Sequence, residues 1–228
     1  MGRAALVTGA TGGIGAATCW RLRHEGWHVI GLARRPSTNA SASLSVDITR
    51  LDEVLDAFQT VPRLQLLVHA AATIGPLALL PASNPDEWRR AVEVNMLGTY
   101  NVLRAALAGP LQRDGGIVIH LTSGAASMAK PYWSAYSASK AGAEHLARSA
   151  AIDVDGTGCA ICSLDPGITE TPMQAEMRSK DFPDRDRFVR VHEEGSSRKP
   201  EEVADAVLEL SRRKPSELNG ETFRVGAL

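Results

Sequence analysis

Tyr136 and Lys140 stand four residues apart in the run WSAYSASK at 133–140. Four residues is one helical turn, so a helix there stacks both side chains on one face. Ser123 precedes the tyrosine by thirteen residues and follows the apolar run IVIHLT at 117–122. A hydroxyl at the C-terminal edge of a strand, facing a tyrosine with a cation beside it, can pass a proton to or from a reacting oxygen. An ordinary phenol titrates near about 10. To act near pH 7 its phenolate must gain roughly 4 kcal/mol, at about 1.4 kcal/mol per unit. One cation some 5 Å away supplies on the order of 3 kcal/mol at an effective dielectric near 20. Lys140 is placed to be that cation. Any helix produces the Tyr-x-x-x-Lys spacing by chance, so its meaning depends on the elements that hold it.

The first of those elements is at the N-terminus. Ala4 to Val7 reads as a short buried strand, followed by TGATGGIG at 8–15 and a helix from about Gly13 to Glu25. Gly9, Thr11, Gly12, Gly13, Ile14 and Gly15 form a turn that lets backbone approach a ligand closely, while the helix N-terminus offers unpaired N–H groups to a pyrophosphate. A second strand, His28 to Ala33, completes a dinucleotide-binding βαβ unit. No Gly-Lys-Ser/Thr is present, which argues against a nucleoside-triphosphate loop. The second strand ends in Arg34 and Arg35, where an NAD-binding unit would present a carboxylate to the ribose. Two guanidinium groups suit a 2′-phosphate instead. NADP(H) is therefore the expected cofactor, with NAD(H) as the second choice.

The remaining elements follow in order. Ser43 to Val46 reads as a third strand, ended by Asp47-Ile48-Thr49; Asp47 either caps the helix at Leu51 to Gln59 or stands at the rim of an adenine pocket. A fourth strand, Leu64 to His69, leads to Ala70, Ala71 and Ala72, small enough for a ligand to lie flat against the backbone. His69, at a strand end with no carboxylate paired to it in sequence, reads as a packed residue. One long helix is expected from Pro85 to Ala108, with Asn95 in its middle; a buried Asn there needs a hydrogen-bonding purpose. The Tyr136 helix continues to about Val154, and Cys159 to Leu164 is a sixth strand. The charged stretch 174–199, with sparse apolar residues at helical spacing, reads either as a solvated excursion or, from its place after the sixth strand, as a substrate lid. Glu201 to Arg212 is a last amphipathic helix and Glu221 to Val225 a last strand.

Composition narrows the function. With 228 residues, 44% hydrophobic and 22% charged, the chain suits one α/β domain without repeats or linkers. A net charge of −1 gives no footprint for nucleic acid or an anionic membrane surface. The most apolar stretch, Leu64 to Pro81, is interrupted by Gln65, His69, Gly75 and Pro76 and does not span a bilayer. Met1-Gly2-Arg3 leads straight into the first strand, which fits no signal peptide, and Leu6 stands where a myristoylation motif needs Ser or Thr. Three cysteines point to a cytoplasmic location. Cys159 and Cys162, three apart in a strand, point to opposite faces, so no metal is expected.

Taken jointly, these stretches resemble the short-chain dehydrogenase/reductase family along the whole chain: TGATGGIG at 8–15, DI at 47–48, VN at 94–95, LTS at 121–123, YSASK at 136–140 and DPGITETPM at 165–173. The resemblance implies a single Rossmann-type doubly wound domain, a seven-stranded parallel sheet with helices on both faces. It implies a catalytic set at Asn95, Ser123, Tyr136 and Lys140, with Tyr136 and Lys140 also touching the cofactor. Pro166, Gly167, Thr169 and Thr171 match the segment that meets the nicotinamide end, with Met173 beside them. A homodimer or homotetramer through the helices at 85–108 and 133–154 is implied too. SGAA at 123–126, WSAYSASKA at 133–141 and the run after 173 are similar to the benzil and sepiapterin reductase subgroup. Two stretches depart from the family pattern. His69-Ala70-Ala71-Ala72 replaces Asn-Asn-Ala-Gly, and the usual Asp-Gly-Gly near the C-terminus is reduced to Val225-Gly226-Ala227.

The expected chemistry is reduction of a small-molecule ketone or dicarbonyl. Tyr136 is the general acid, Ser123 hydrogen-bonds the carbonyl, Lys140 tunes Tyr136 and holds ribose hydroxyls, and Asn95 fixes a water that refills the proton. Trp133, Met128, Met173 and the Ile74-Gly75-Pro76 loop are candidate walls of an apolar pocket. Two alternatives remain open: an NAD-dependent alcohol oxidiser, separated by its cofactor preference, and a catalytically idle dinucleotide sensor or scaffold, separated by turnover of a dicarbonyl with NADPH.

Overall fold

A computed structural model describes residues 2–227; Met1, at the head of the expected N-terminal lead-in, lies outside them. Seven parallel strands form one sheet in the order β3-β2-β1-β4-β5-β6-β7. The strands are β1 (Ala4–Thr8), β2 (His28–Ala33), β3 (Ala42–Ser45), β4 (Leu66–His69), β5 (Gly116–Leu121), β6 (Cys159–Asp165) and β7 (Thr222–Arg224). The chain builds outward from β1 in one direction through β2 and β3, then returns to lay β4 against the other side of β1. That reversal opens a crevice beyond the C-terminal ends of β1 and β4, where open α/β sheets take ligands.

Parallel strands covered on both faces must be apolar throughout, and β1, β4, β5 and β6 are nearly all buried. One face of the sheet packs under α1 (Gly13–His24) and α9 (Pro200–Leu210), through Leu22, Val203 and Val207. The other packs under α2 (Leu51–Gln59), α4 (Gly98–Ala108) and α6 (Ser134–Asp153), through Val54, Val102 and Ala147. Cys159 belongs to this second layer and Cys162 to the first, so the two thiols lie on opposite faces of β6. The remaining helices are α3 (Pro85–Val92), α5 (Pro110–Asp114), α7 (Pro172–Arg178) and α8 (Arg185–Glu193).

The expected long helix at 85–108 differs in one respect. Asn84 caps α3 by accepting the N–H groups of Asp86 and Glu87. Between α3 and α4, however, Glu93–Leu97 makes a π turn. The widened turn carries Asn95 at its centre, and such turns persist where a side chain compensates the lost regularity. Asp47 does not cap α2; Arg50 stands at that position without a side-chain cap. The Asp47 carboxylate instead accepts Thr49 N–H at 3.0 Å and Thr49 O–H at 2.8 Å, and takes Arg90 at 3.0 Å.

Candidate active site

The glycine loop lies at the crevice floor. Gly9 has φ +66°, and a Cβ there would stand 2.9 Å from both N and Cα of Ala71. Only glycine lets the β1 and β4 loops close to this distance. Across the crevice, Thr171 covers the start of α1: a Cβ on Gly13 would meet the Thr171 methyl at 2.5 Å. Thr171 also caps α7, accepting Gln174 N–H at 3.3 Å, so one residue ties the Pro166–Thr171 segment to the glycine loop. The Ser37 hydroxyl donates to Ala10 O at 2.9 Å, which anchors the loop after β2 beside the same turn. Arg34 and Arg35 stand exposed on that loop. Ile48 is buried: Asn101 donates to its carbonyl at 2.9 Å, and a Cβ on Gly98 would meet its side chain at 2.6 Å.

The departure at 69–72 has a local explanation. Thr8 Oγ accepts the N–H groups of Ala70 and Ala71, at 3.1 and 3.2 Å, and so holds the loop without the family's asparagine. Thr8 pairs in turn with His69 Nδ1 at 2.9 Å, and His69 Nε2 pairs with Thr99 Oγ at 2.9 Å. Thr99 spends its proton on Asn95 O at 2.6 Å. That leaves Thr99 able only to accept from the ring, so Nε2 carries the proton and Thr8 donates to Nδ1.

Ser123, Tyr136 and Lys140 meet at the C-terminal end of β5. The Ser123 hydroxyl faces the Tyr136 phenol and also accepts Ala125 N–H at 3.2 Å. Lys140 is 4% exposed and donates to Leu121 O at 2.5 Å. Burial holds the Tyr136 phenol above its ordinary pKa, with the Ser123 hydroxyl pulling the other way and the Asp165 carboxylate adding to the rise. Lys140 is not among the groups that shift the phenol here. Its ammonium is turned toward the β5 main chain, on Leu121 O. Lys140 itself is pulled down to about 8 by burial, against the pull of Glu144 and Asp165.

Asn95 joins the set by a different route from the one its sequence position suggests. Its Oδ1 accepts Thr73 N–H at 2.8 Å; its Nδ2 donates to Thr73 O and to Ser139 Oγ, each at 2.9 Å. Ser139 in turn donates to Tyr136 O at 3.0 Å. The amide is thus used as a clamp between the β4–α3 loop and the tyrosine helix, which leaves it no free proton with which to hold a water.

The stretch after β6 folds over Tyr136. Met177 of α7, Phe182 and Phe188 of α8 pack with Ile74, Leu77, Trp133 and Tyr136. Trp133 stands edge-on to Tyr136, with ring centroids 5.9 Å apart. Lys180 donates to Gly75 O at 2.8 Å, and Glu170 takes Arg178 at 2.6 and 3.0 Å and His192 at 2.9 Å. Trp133, Met173 and Ile74 therefore share the apolar cluster expected of them, whereas Met128 is 58% exposed and outside it. Thr8, Thr73, Thr99, Ser139, Glu144 and Asp165 belong to the site region but were not singled out as site residues. The in-register pairing of Thr8, His69, His120 and Ser163 across four strands is the pattern that would have exposed part of this set.

A family model for short chain dehydrogenases matches residues 3–181, and the chain belongs to the short-chain dehydrogenase/reductase family. It is 30% identical, over 98% of its length, to an uncharacterized short-chain type dehydrogenase/reductase of Sinorhizobium fredii, and covers 43% of that relative. It is 28% identical to the (S)-benzoin-forming benzil reductase of Bacillus subtilis, over 90% of this chain and 91% of that one. The actinorhodin polyketide ketoreductase solved with NADPH superposes with a TM-score of 0.87 at 25% identity, over 99% of this chain and 96% of the other.

Proposed function

We propose that the protein is an NADPH-dependent reductase of apolar, aromatic ketones or dicarbonyls. The observation that carries the reading is the Ser123 hydroxyl facing the Tyr136 phenol beside buried Lys140, at the C-terminal edge of the sheet and under an aromatic cover. The residues around the crevice fit a dinucleotide. Gly9 to Gly15 offer close backbone and the α1 N-terminus to a pyrophosphate, and Arg34 and Arg35 face the ribose end with no carboxylate between 33 and 46. Pro166, Gly167, Thr169 and Thr171 would meet the nicotinamide end, with Met173 following, and Ala70 to Ala72 leave room along the β4 loop. Asp47 and Ile48 border the adenine side through the Thr49–Arg90 network. When bound, the nicotinamide supplies hydride to a carbonyl carbon.

The protein's part is proton placement. Ser123 holds the carbonyl oxygen, and Tyr136, kept protonated by burial, donates to that oxygen as it becomes an alkoxide. Lys140 has two ammonium protons left after Leu121 O for ribose hydroxyls. Asn95 keeps Thr73 and the tyrosine helix in place, so its contribution is geometric. The aromatic cover selects flat apolar substrates and excludes water.

NADPH oxidation with a panel of aryl diketones, pterins and acyl thioesters tests the reading. Aryl diketones should turn over, and Tyr136→Phe should lose at least about a hundredfold in kcat with cofactor affinity nearly unchanged. Turnover of the Phe variant within tenfold of the parent removes Tyr136 from the mechanism.

A further inference from the structure

A row of polar side chains crosses the buried sheet directly below Lys140. Thr8, His69, His120, Ser163 and Thr222 are register partners across β1, β4, β5, β6 and β7, so their side chains share one face. All but Thr222 are at most 3% exposed. On the β6–β7 side the row ends on Glu144 of α6. Its Oε2 accepts the Ser163 hydroxyl at 2.7 Å; its Oε1 accepts the Thr222 hydroxyl at 3.2 Å and Arg148 Nε at 3.0 Å. Glu144 is one helical turn after Lys140 and 7% exposed. Leu121 and Leu164 are register partners, as are His120 and Ser163. The ammonium on Leu121 O and the carboxylate on Ser163 therefore descend onto the same strand pair, one residue apart.

A buried ammonium with one main-chain acceptor needs an opposite charge nearby. Four other titratable groups face Lys140. His69 and His120 are held neutral, chiefly by burial and further by Lys140 itself; His69 is pulled down to about 3 and His120 well below its ordinary value. Tyr136 is kept protonated. Asp165 pulls the same way as Glu144 but less strongly, and it also accepts Gly167 N–H at 2.9 Å and faces Arg224 Nε at 3.7 Å. We propose that Glu144 is a positioning residue for the reaction: clamped by Ser163, Thr222 and Arg148, its carboxylate keeps the Lys140 ammonium charged at the pH where the enzyme works. Its effect reaches the substrate only through Lys140, so the proposal rests on the catalytic role assigned to that lysine. The charge state itself can be read without any substrate.

The test is an NMR titration of Lys140 in ligand-free protein labelled with 13C at lysine Cε, the signal identified by its loss in Lys140→Arg. Glu144→Gln keeps acceptors for Ser163 and Thr222 but removes the charge, and should lower the Lys140 midpoint by roughly one pH unit or more. Ser163→Ala leaves the charge and frees one clamp, so a smaller downward shift is expected. Glu209→Gln, on the surface, should leave the midpoint unchanged. If the parent reduces a carbonyl, the alkaline limb of its kcat profile should move down with the midpoint in Glu144→Gln. A folded Glu144→Gln protein whose midpoint stays within about 0.3 unit of the parent overturns the proposal. If that variant does not fold, an unmoved midpoint in Ser163→Ala overturns it. A shifted midpoint in a protein that reduces no carbonyl leaves the electrostatic role of Glu144 standing and removes the reductase reading instead.

Discussion

Ala33, Arg34 and Arg35 concentrate the cofactor question in three consecutive residues. Charge-assisted hydrogen bonds from a guanidinium contribute about 1.5–3 kcal/mol each, and 1.4 kcal/mol is about one decade. NADPH should therefore exceed NADH in kcat/KM by at least about tenfold. Both arginines are exposed, so added salt should shrink the preference. Ala33→Asp with Arg34→Ser should reverse it, by adding repulsion against the phosphate as well as removing attraction. The measurement is kcat/KM for both cofactors, in parent and double variant, at two ionic strengths. Equal use by the parent brings the NAD-dependent oxidiser forward. These arginines were readable in sequence because their meaning depends on a strand end and a missing carboxylate, both local. The Asn95 clamp was not, because its partners Thr73 and Ser139 lie 22 and 44 positions away.

At the scale of elements, the π turn and the polar row are where local propensity gives way to tertiary demand. Helix periodicity carries straight through 85–108, and nothing in that stretch announces an extra residue in one turn. Replacing Asn95 by Ala strips partners from both the N–H and the C=O of Thr73, so stability should fall by at least about 2 kcal/mol. Chemical denaturation gives that difference directly, and a loss below about 0.5 kcal/mol would show that the loop finds other partners. The central strands, by contrast, were legible to within about two residues at each end, since buried parallel strands need continuous apolar runs. Within those runs His69 reads as a packing residue; it and His120 are both buried and held neutral. Their folded pKa values lie below the unfolded value of about 6.5, so the unfolded chain binds more protons in acid. Stability from this source is complete above about pH 6.5 and is lost as pH falls toward the folded values, by about 1.4 kcal/mol per unit for each histidine. Unfolding free energies between pH 7 and 5 should show this slope, and His120→Asn should remove about half of it. An acid limb of unchanged steepness in that variant would falsify the assignment.

At the scale of the whole molecule, half of the large apolar side chains left exposed among the described residues lie where the family resemblance places subunit contacts. Among the described residues, Met96, Leu97 and Tyr100 are 36%, 47% and 41% exposed on the π turn and α4, and Ile152 is 78% exposed near the end of α6. Exposed apolar side chains are ordinary when scattered, but three within five positions on one segment mark a surface that gains by being covered. A Cβ on Gly142 of α6 would stand 2.7 Å from Met96 Sδ, so the exposed strip is continuous with the tyrosine helix. A two-fold contact there would bury α4 and α6 of both copies and stiffen the helix that carries Tyr136 and Lys140. The protein should therefore sediment as a homodimer or homotetramer at micromolar concentration. Leu97→Glu with Tyr100→Glu should dissociate it by placing like charges across the axis. Because Asn95 and Ser139 tie the π turn before α4 to α6 at the site, the dissociated form should also lose carbonyl turnover in proportion to the monomer fraction. A 24.3 kDa species for the parent, measured by sedimentation at that concentration, contradicts the assembly. A monomeric double variant with full activity would leave the assembly in place but separate it from catalysis.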